Sequence, residues 1–265
     1  MKMKIVLPFL FAALASCEEE VGVTLQPAAN NYLVVEGVLT NENVRHLIRL
    51  SLPYSGINGT PQPATGAAIT ISEGANVYTL TETPAGSGLY YTDSMIAVVS
   101  TTYRLDIQYK GKSYFAEDSS VPVEPLGPLE YQRGSDTLMY TIVFNKSGTT
   151  PNYVQYEIDW TNTSFCISGQ CRGEVYFYDL KTTDVNEIFK PSKAEFDFPP
   201  GSAVVRRKYS ASPGYQAFLR GVLSETEWRG GIFDVERANA PTNLSDGAIG
   251  YFAVSTVVSD STVIR

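Results

Sequence analysis

Few side chains in this chain are equipped for chemistry. Its 265 residues contain one histidine, His46, and three cysteines, Cys17, Cys166 and Cys171. A serine or cysteine nucleophile needs a base, and the only imidazole sits in residues 44–52, a stretch that mostly alternates. Val44, His46, Ile48, Leu50 and Leu52 share one face, with Leu47 the exception. His46, beside Arg45 and Arg49, therefore reads as a half-buried strand residue. No Gly-x-Ser-x-Gly elbow occurs. A four-ligand Cys/His zinc site needs more ligands than these residues supply. Among the 28 Asp and Glu residues no spacing singles out an acid/base pair of the glycosidase kind, and they are too scattered for an EF-hand-like calcium loop. Trp228 near Arg229, and Trp160 near Tyr156, could form a sugar or peptide platform; the competing reading is buried packing. These residues assign no catalytic, cofactor or metal site.

The cysteines divide by position. Met1-Lys2-Met3-Lys4 precedes an apolar run over residues 5–15. A basic start and a short apolar run make a secretory signal, too short for a permanent transmembrane helix. The run ends Leu14-Ala15-Ser16-Cys17, which resembles the lipobox of bacterial lipoproteins. That resemblance implies cleavage after residue 16 and acylation of Cys17. The alternative is an ordinary signal peptide whose small residues happen to precede a cysteine. Several acyl chains anchor stably where one binds marginally. Cys166 and Cys171 flank a stretch containing Ser168-Gly169, a turn signal. In an exported compartment a structural disulfide is expected there. Redox chemistry is the alternative, but four intervening residues carry no specific redox signal.

The formal charge of −8 argues against nucleic acid as a partner, because phosphate binding is driven by Lys and Arg. Loss of Lys2 and Lys4 with the signal brings it to −10. Glu18, Glu19 and Glu20 follow the cysteine directly, and an acidic run gains nothing from an anionic bilayer.

The elements that position these residues read as β-strands. With 43% hydrophobic and 12% aromatic residues the chain has ample material for burial and is not disordered. After an acidic linker (17–30), strand-like runs occur at 32–39, 44–52, 68–72, 76–82, 88–91, 102–109 and 112–116. Seven short strands joined by turns indicate a β-sandwich over 31–122, similar to transthyretin-like and immunoglobulin-like modules. Val121-Pro122-Val123-Glu124-Pro125-Leu126-Gly127-Pro128 is the expected boundary, because its prolines break regular structure. A second β-rich domain (129–265) has strands expected at 137–144, 153–160, 174–178, 247–258 and 262–264. In the second of these, Val154, Tyr156, Ile158 and Trp160 form the core face; Gln155, Glu157 and Asp159 form a solvated face. Tyr215, Phe218, Leu219 and Val222 fall at i, i+3, i+4 and i+7, an amphipathic helix near 214–226. Ser212 is placed to cap it, with Pro213 in its first turn.

Two C-terminal segments carry a family resemblance. Gly230-Gly231-Ile232-Phe233-Asp234 is the first; Ala240-Pro241-Thr242-Asn243-Leu244-Ser245-Asp246-Gly247-Ala248-Ile249-Gly250-Tyr251-Phe252-Ala253-Val254-Ser255 is the second. They resemble the closing motif of a Bacteroidota lipoprotein family, domain-of-unknown-function family 4249. Leu33-Val34-Val35-Glu36-Gly37-Val38-Leu39-Thr40 resembles its opening strand, Gly66-Ala67-Ala68-Ile69-Thr70-Ile71 a second stretch, and the lipobox and cysteine pair match too. Members are typically encoded beside TonB-dependent outer-membrane receptors. The resemblance implies an accessory lipoprotein on the outer membrane, facing the cell exterior, and supplies no catalytic residues. Gly247 and Gly250 suit a turn or close backbone approach. Tyr251 and Phe252 point to opposite faces of a strand, which makes the motif a packing lock. Asp93-Ser94-Met95, Asp136-Thr137-Leu138 and Asp260-Ser261-Thr262 resemble short O-glycosylation sites of exported Bacteroidota proteins. The expected function is therefore nutrient capture or uptake with a TonB-dependent receptor, without cofactor. An extracellular hydrolase acting on a polymer, or a structural envelope protein, is the alternative.

Overall fold

The computed structural model describes residues 32–54, 59–134, 136–146, 148–167, 169–191, 196–232, 235 and 239–265. The signal segment, Cys17 and the acidic linker lie outside the described residues, as do Phe233 and Asp234 of the closing motif. The chain is all-β. Before the proline-rich join run β1 (Leu33–Thr40), β2 (Val44–Ser51), β3 (Ala68–Glu73), β4 (Asn76–Thr79), β5 (Thr81–Glu82), β6 (Leu89–Met95), β7 (Thr102–Tyr109) and β8 (Lys112–Ser119). After it come β9 (Tyr131–Arg133), β10 (Tyr140–Ile142), β11 (Asn152–Asp159), β12 (Arg172–Asp179), the short helix α1 (Val185–Ile188), β13 (Ala203–Ser210), α2 (Pro213–Glu225), β14 (Ala248–Ser255) and β15 (Val257–Val263).

Alternation sets the first core. A sheet of order β14-β1-β2-β6-β5 packs on a sheet of order β4-β3-β7-β8. Val35, Ile48 and Leu50 from one meet Ile71, Leu105 and Ile107 from the other, all completely or almost completely buried. A third sheet, β12-β11-β13-β15, builds the second half, beside a β10-β9 ribbon. Its inner face carries Val154, Tyr156 and Ile158, with Trp160 packed against them, as the period of two requires.

The strand that completes the first sandwich comes from beyond the join. β14 runs parallel to β1, from Leu33↔Ala248 to Thr40↔Ser255. After Thr256 the chain enters β15, which pairs antiparallel with β13 in the third sheet. The bend is held from both sides: Thr256 N donates to Ser210 Oγ at 2.8 Å, and Val257 N donates to Asn41 Oδ1 at 2.6 Å. One continuous run thus serves both halves.

α2 begins as its residues dictate. Ser212 Oγ accepts from Tyr215 N at 3.2 Å, and Pro213 occupies the first turn. The expected stripe needs one correction. Val222 is 37% exposed, and Leu223 is buried in its place, against Leu180 and Trp228. β13 has no expected counterpart. Its inward positions Val204, Arg206, Lys208 and Ser210 include two cations, so the strand lacks an apolar face.

Glu124 ties the join to the second half. Its Oε1 accepts from Thr149 N (2.7 Å), Thr149 Oγ1 (2.9 Å) and Thr150 N (3.1 Å). These donors favour the charged form and hold its pKa down to about 2. The folded value lies below the unfolded one, so the contribution is present above about pH 4.5 and is lost as pH falls toward 2. Glu124→Gln keeps an acceptor but not the charge. It is expected to flatten the acid limb of stability between those values, measured as urea midpoints across pH; an unchanged limb would show that Glu124 does not drive it.

Candidate functional site

The second segment of the closing motif, residues 240–255, is a structural joint. Asn243 Nδ2 donates to Glu117 O of β8 (2.9 Å) and Phe252 O of β14 (2.7 Å), while its Oδ1 accepts from Phe252 N (3.2 Å). One amide thereby does the work of a strand between two sheet edges. Ser245 extends the stitch: its Oγ accepts from Phe115 N and its N donates to Phe115 O. Leu244 enters the first core. Gly247 takes φ +87° before the strand. Gly250 takes φ +100°, and a Cβ there would lie 2.1 Å from Val35 O of the neighbouring β1. Phe252 is completely buried in the first core, while Tyr251 turns to the other face and stacks on Tyr215 of α2 at 5.2 Å.

That outer face continues as an aromatic layer. Tyr178, Tyr153 and Tyr209 stand side by side on β12, β11 and β13, with centroid separations of 5.7 and 4.7 Å. Tyr215 meets Tyr153 edge-on at 6.3 Å. Each such pair contributes about 0.5–1.5 kcal/mol beyond its burial. Burial pushes the Tyr209 and Tyr215 phenols up to about 12 and raises Tyr153 well above the ordinary phenol value, so all three stay neutral.

Where this layer meets β1 and β2, a groove of about 350 Å³ opens along the seam between the halves. Tyr176, Tyr209 and Gln155 form one wall; Thr40, Arg45 and His46 are on the other, with Glu42 between. The groups are held in place. Tyr209 Oη donates to Gln155 Oε1 (3.0 Å), Tyr176 Oη donates to Glu174 Oε1 (2.6 Å), and Gln155 Nε2 donates to that same oxygen. Glu157 and Glu174 stand directly opposite each other in the β11–β12 register, a repulsive arrangement by itself. Arg207 relieves it by donating to Glu157 Oε1 at 3.0 Å, and it reaches across the seam to Glu42 at 3.5 Å. Arg45 donates to Thr92 O at 3.2 Å, and its guanidinium lies 4.9 Å from the Tyr91 ring centre. The groove therefore offers fixed neutral phenols, an amide and charges of both signs, a surface for stacking and hydrogen bonding.

His46 is buried, more deeply than half-buried alternation implies. Its Nε2 lies 3.1 Å from Met95 O, and burial lowers its pKa, so it is a neutral part of the groove wall. Cys166 and Cys171 form the expected disulfide, with Cα atoms 5.5 Å apart, closing a small loop at the end of β11 and β12. Such a loop contributes about 2 kcal/mol in the chain-entropy model. Neither tryptophan forms a platform: Trp228 is buried, and Trp160 packs against Phe196 in the second core. Ser94, Thr137 and Ser261 are all exposed. Among the described residues no group of three His, Cys, Asp or Glu side chains could hold a metal. Sequence reasoning left the groove tyrosines unassigned; the Tyr176-x-Tyr178 spacing and the tyrosine of Tyr153-x-Gln155 were the available signal, two residues apart and so on one strand face.

A family model described as "Domain of unknown function (DUF4249)" matches residues 18–261. No curated protein matches the chain.

Proposed function

Because the chain belongs to the DUF4249 family, we propose that it is a lipid-anchored binding protein of the outer membrane, facing the cell exterior, accessory to a TonB-dependent receptor in nutrient capture or uptake. It works by binding and carries no reaction. The supporting observation is the seam groove: phenol, amide and charged groups from both halves are fixed by mutual hydrogen bonds in an open cleft. Preorganised groups lose little freedom when a partner docks, which favours recognition. The lipobox supports the anchor. In this reading Cys17 carries the acyl chains, and the acidic residues after it keep the body off the anionic surface.

Cys17→Ala is expected to move the protein out of the membrane fraction, read by cell fractionation and by loss of palmitate label. Retention in the membrane without label would sink the acyl-anchor assignment. The receptor role is tested by pull-down of the tagged full chain from detergent-solubilised outer membranes. A TonB-dependent receptor should be recovered with the wild-type chain and depleted with Tyr176→Ala/Arg45→Ala, and recovery of none would overturn the accessory role.

A further inference from the structure

We infer that a partly enclosed pocket in the second half, on the opposite face of the third sheet from the seam groove, is a site for a small aliphatic carboxylate held by Lys208. The pocket has a volume of about 120 Å³ and lies between the inner face of the third sheet and the proline-rich join. Lys208 and Arg206, two positions apart on β13, both point into it, with Asn152 and Tyr156 beside them. Lys208 is only 2% exposed and Arg206 only 5%.

The two cations are not equivalent. Arg206 is satisfied: it donates to Asp260 through Nε (2.8 Å) and Nη2 (2.5 Å), and to Gly127 O (2.8 Å). Lys208 makes no hydrogen bond and no ion pair among the described residues. Glu124 and Asp179 act on it only at longer range, and Glu130, the acidic residue of the pocket wall, is held by Asn145 Nδ2 at 2.6 Å. An ammonium this deep in the protein is costly with no anion in contact, and Glu124 and Asp179 act on it without touching it, so a bound anion would satisfy it.

The rest of the wall selects the anion. Leu126, Leu129, Val154 and Phe177 give it apolar sides. A hydrated inorganic anion would leave them unmatched; a carboxylate with a short alkyl tail puts charge on Lys208 and carbon on these side chains. Size agrees: a cavity of about 150 Å³ holds benzene, so this one suits roughly four to six heavy atoms, the range from acetate to butyrate.

The test is ligand-observed NMR and calorimetric titration of the mature chain with acetate, propionate and butyrate, against phosphate and chloride at matched ionic strength. Saturable carboxylate binding is expected, tighter for propionate or butyrate than for acetate. Lys208→Met, with its fold checked by circular dichroism, should weaken it at least about tenfold, the worth of one charge-assisted hydrogen bond. Absence of saturable binding to the wild-type chain would mean that the pocket holds only water and would overturn the proposal without recourse to the variant. Equal binding by a folded Lys208→Met chain, or phosphate binding as tight as butyrate, would overturn it too.

Discussion

Gly250→Val should destabilise the protein by about 3 kcal/mol or more, enough to leave much of it unfolded or aggregated on expression. Two independent effects add at this position. A β-branched residue at φ +100° sits in backbone space that costs about 1–3 kcal/mol. Its Cβ would also fall 2.1 Å from Val35 O, and overpacking of this kind typically costs about 1–3 kcal/mol more. The clash is with backbone in the parallel β1–β14 ladder, so no side chain can swing aside to relieve it. Gly74→Ala separates the two effects. Gly74 also has positive φ, +56°, but nothing lies within 4 Å of an added Cβ, so only the conformational part remains, about 1 kcal/mol. Urea unfolding of both variants checks the comparison. Equal losses would show that β14 can back away from Val35 and that close approach is not what the glycine provides.

That position also shows what the sequence could reveal. Gly250 was legible as a place where backbone must turn or approach closely, and Tyr251 and Phe252 as residues on opposite faces, because both follow from local geometry. What each face meets was not legible. The partner of β14 is β1, more than 200 residues earlier, and a parallel pairing across that separation leaves no mark in either strand's own pattern. The strands of the first sandwich, and β11 and β12, were readable because one face is apolar. β13 was hidden by the opposite feature: Arg206 and Lys208 point inward, so the buried face is written in charge. The groove was lost for a third reason. Gln155, Glu157 and Tyr176 do lie on a partly solvated face, but that face is overhung by β1 and β2, and the overhang exists only once β14 and β15 join the halves.

Phe252→Ala is expected to cost about 3–5 kcal/mol, the range for emptying a large aromatic site in a core that cannot collapse around it. Phe252 is completely buried between the two sheets of the first sandwich, and Asn243 fixes its backbone on both sides, so β14 cannot settle into the void. The informative measurement is where the loss appears. Both tryptophans, Trp160 and Trp228, lie beyond the join, in clusters that share no residue with the core containing Phe252. If the halves unfolded independently, tryptophan fluorescence would report an unchanged midpoint in this variant. The shared run argues otherwise. β14 cannot leave the first sandwich without pulling Tyr251 from its stack on α2 and releasing the Ser210–Thr256 and Asn41–Val257 ties that start β15. The tryptophan transition should therefore shift to lower urea together with the circular dichroism transition. A fluorescence midpoint that stays in place while the dichroism midpoint falls would show that the bend at Thr256 uncouples the halves.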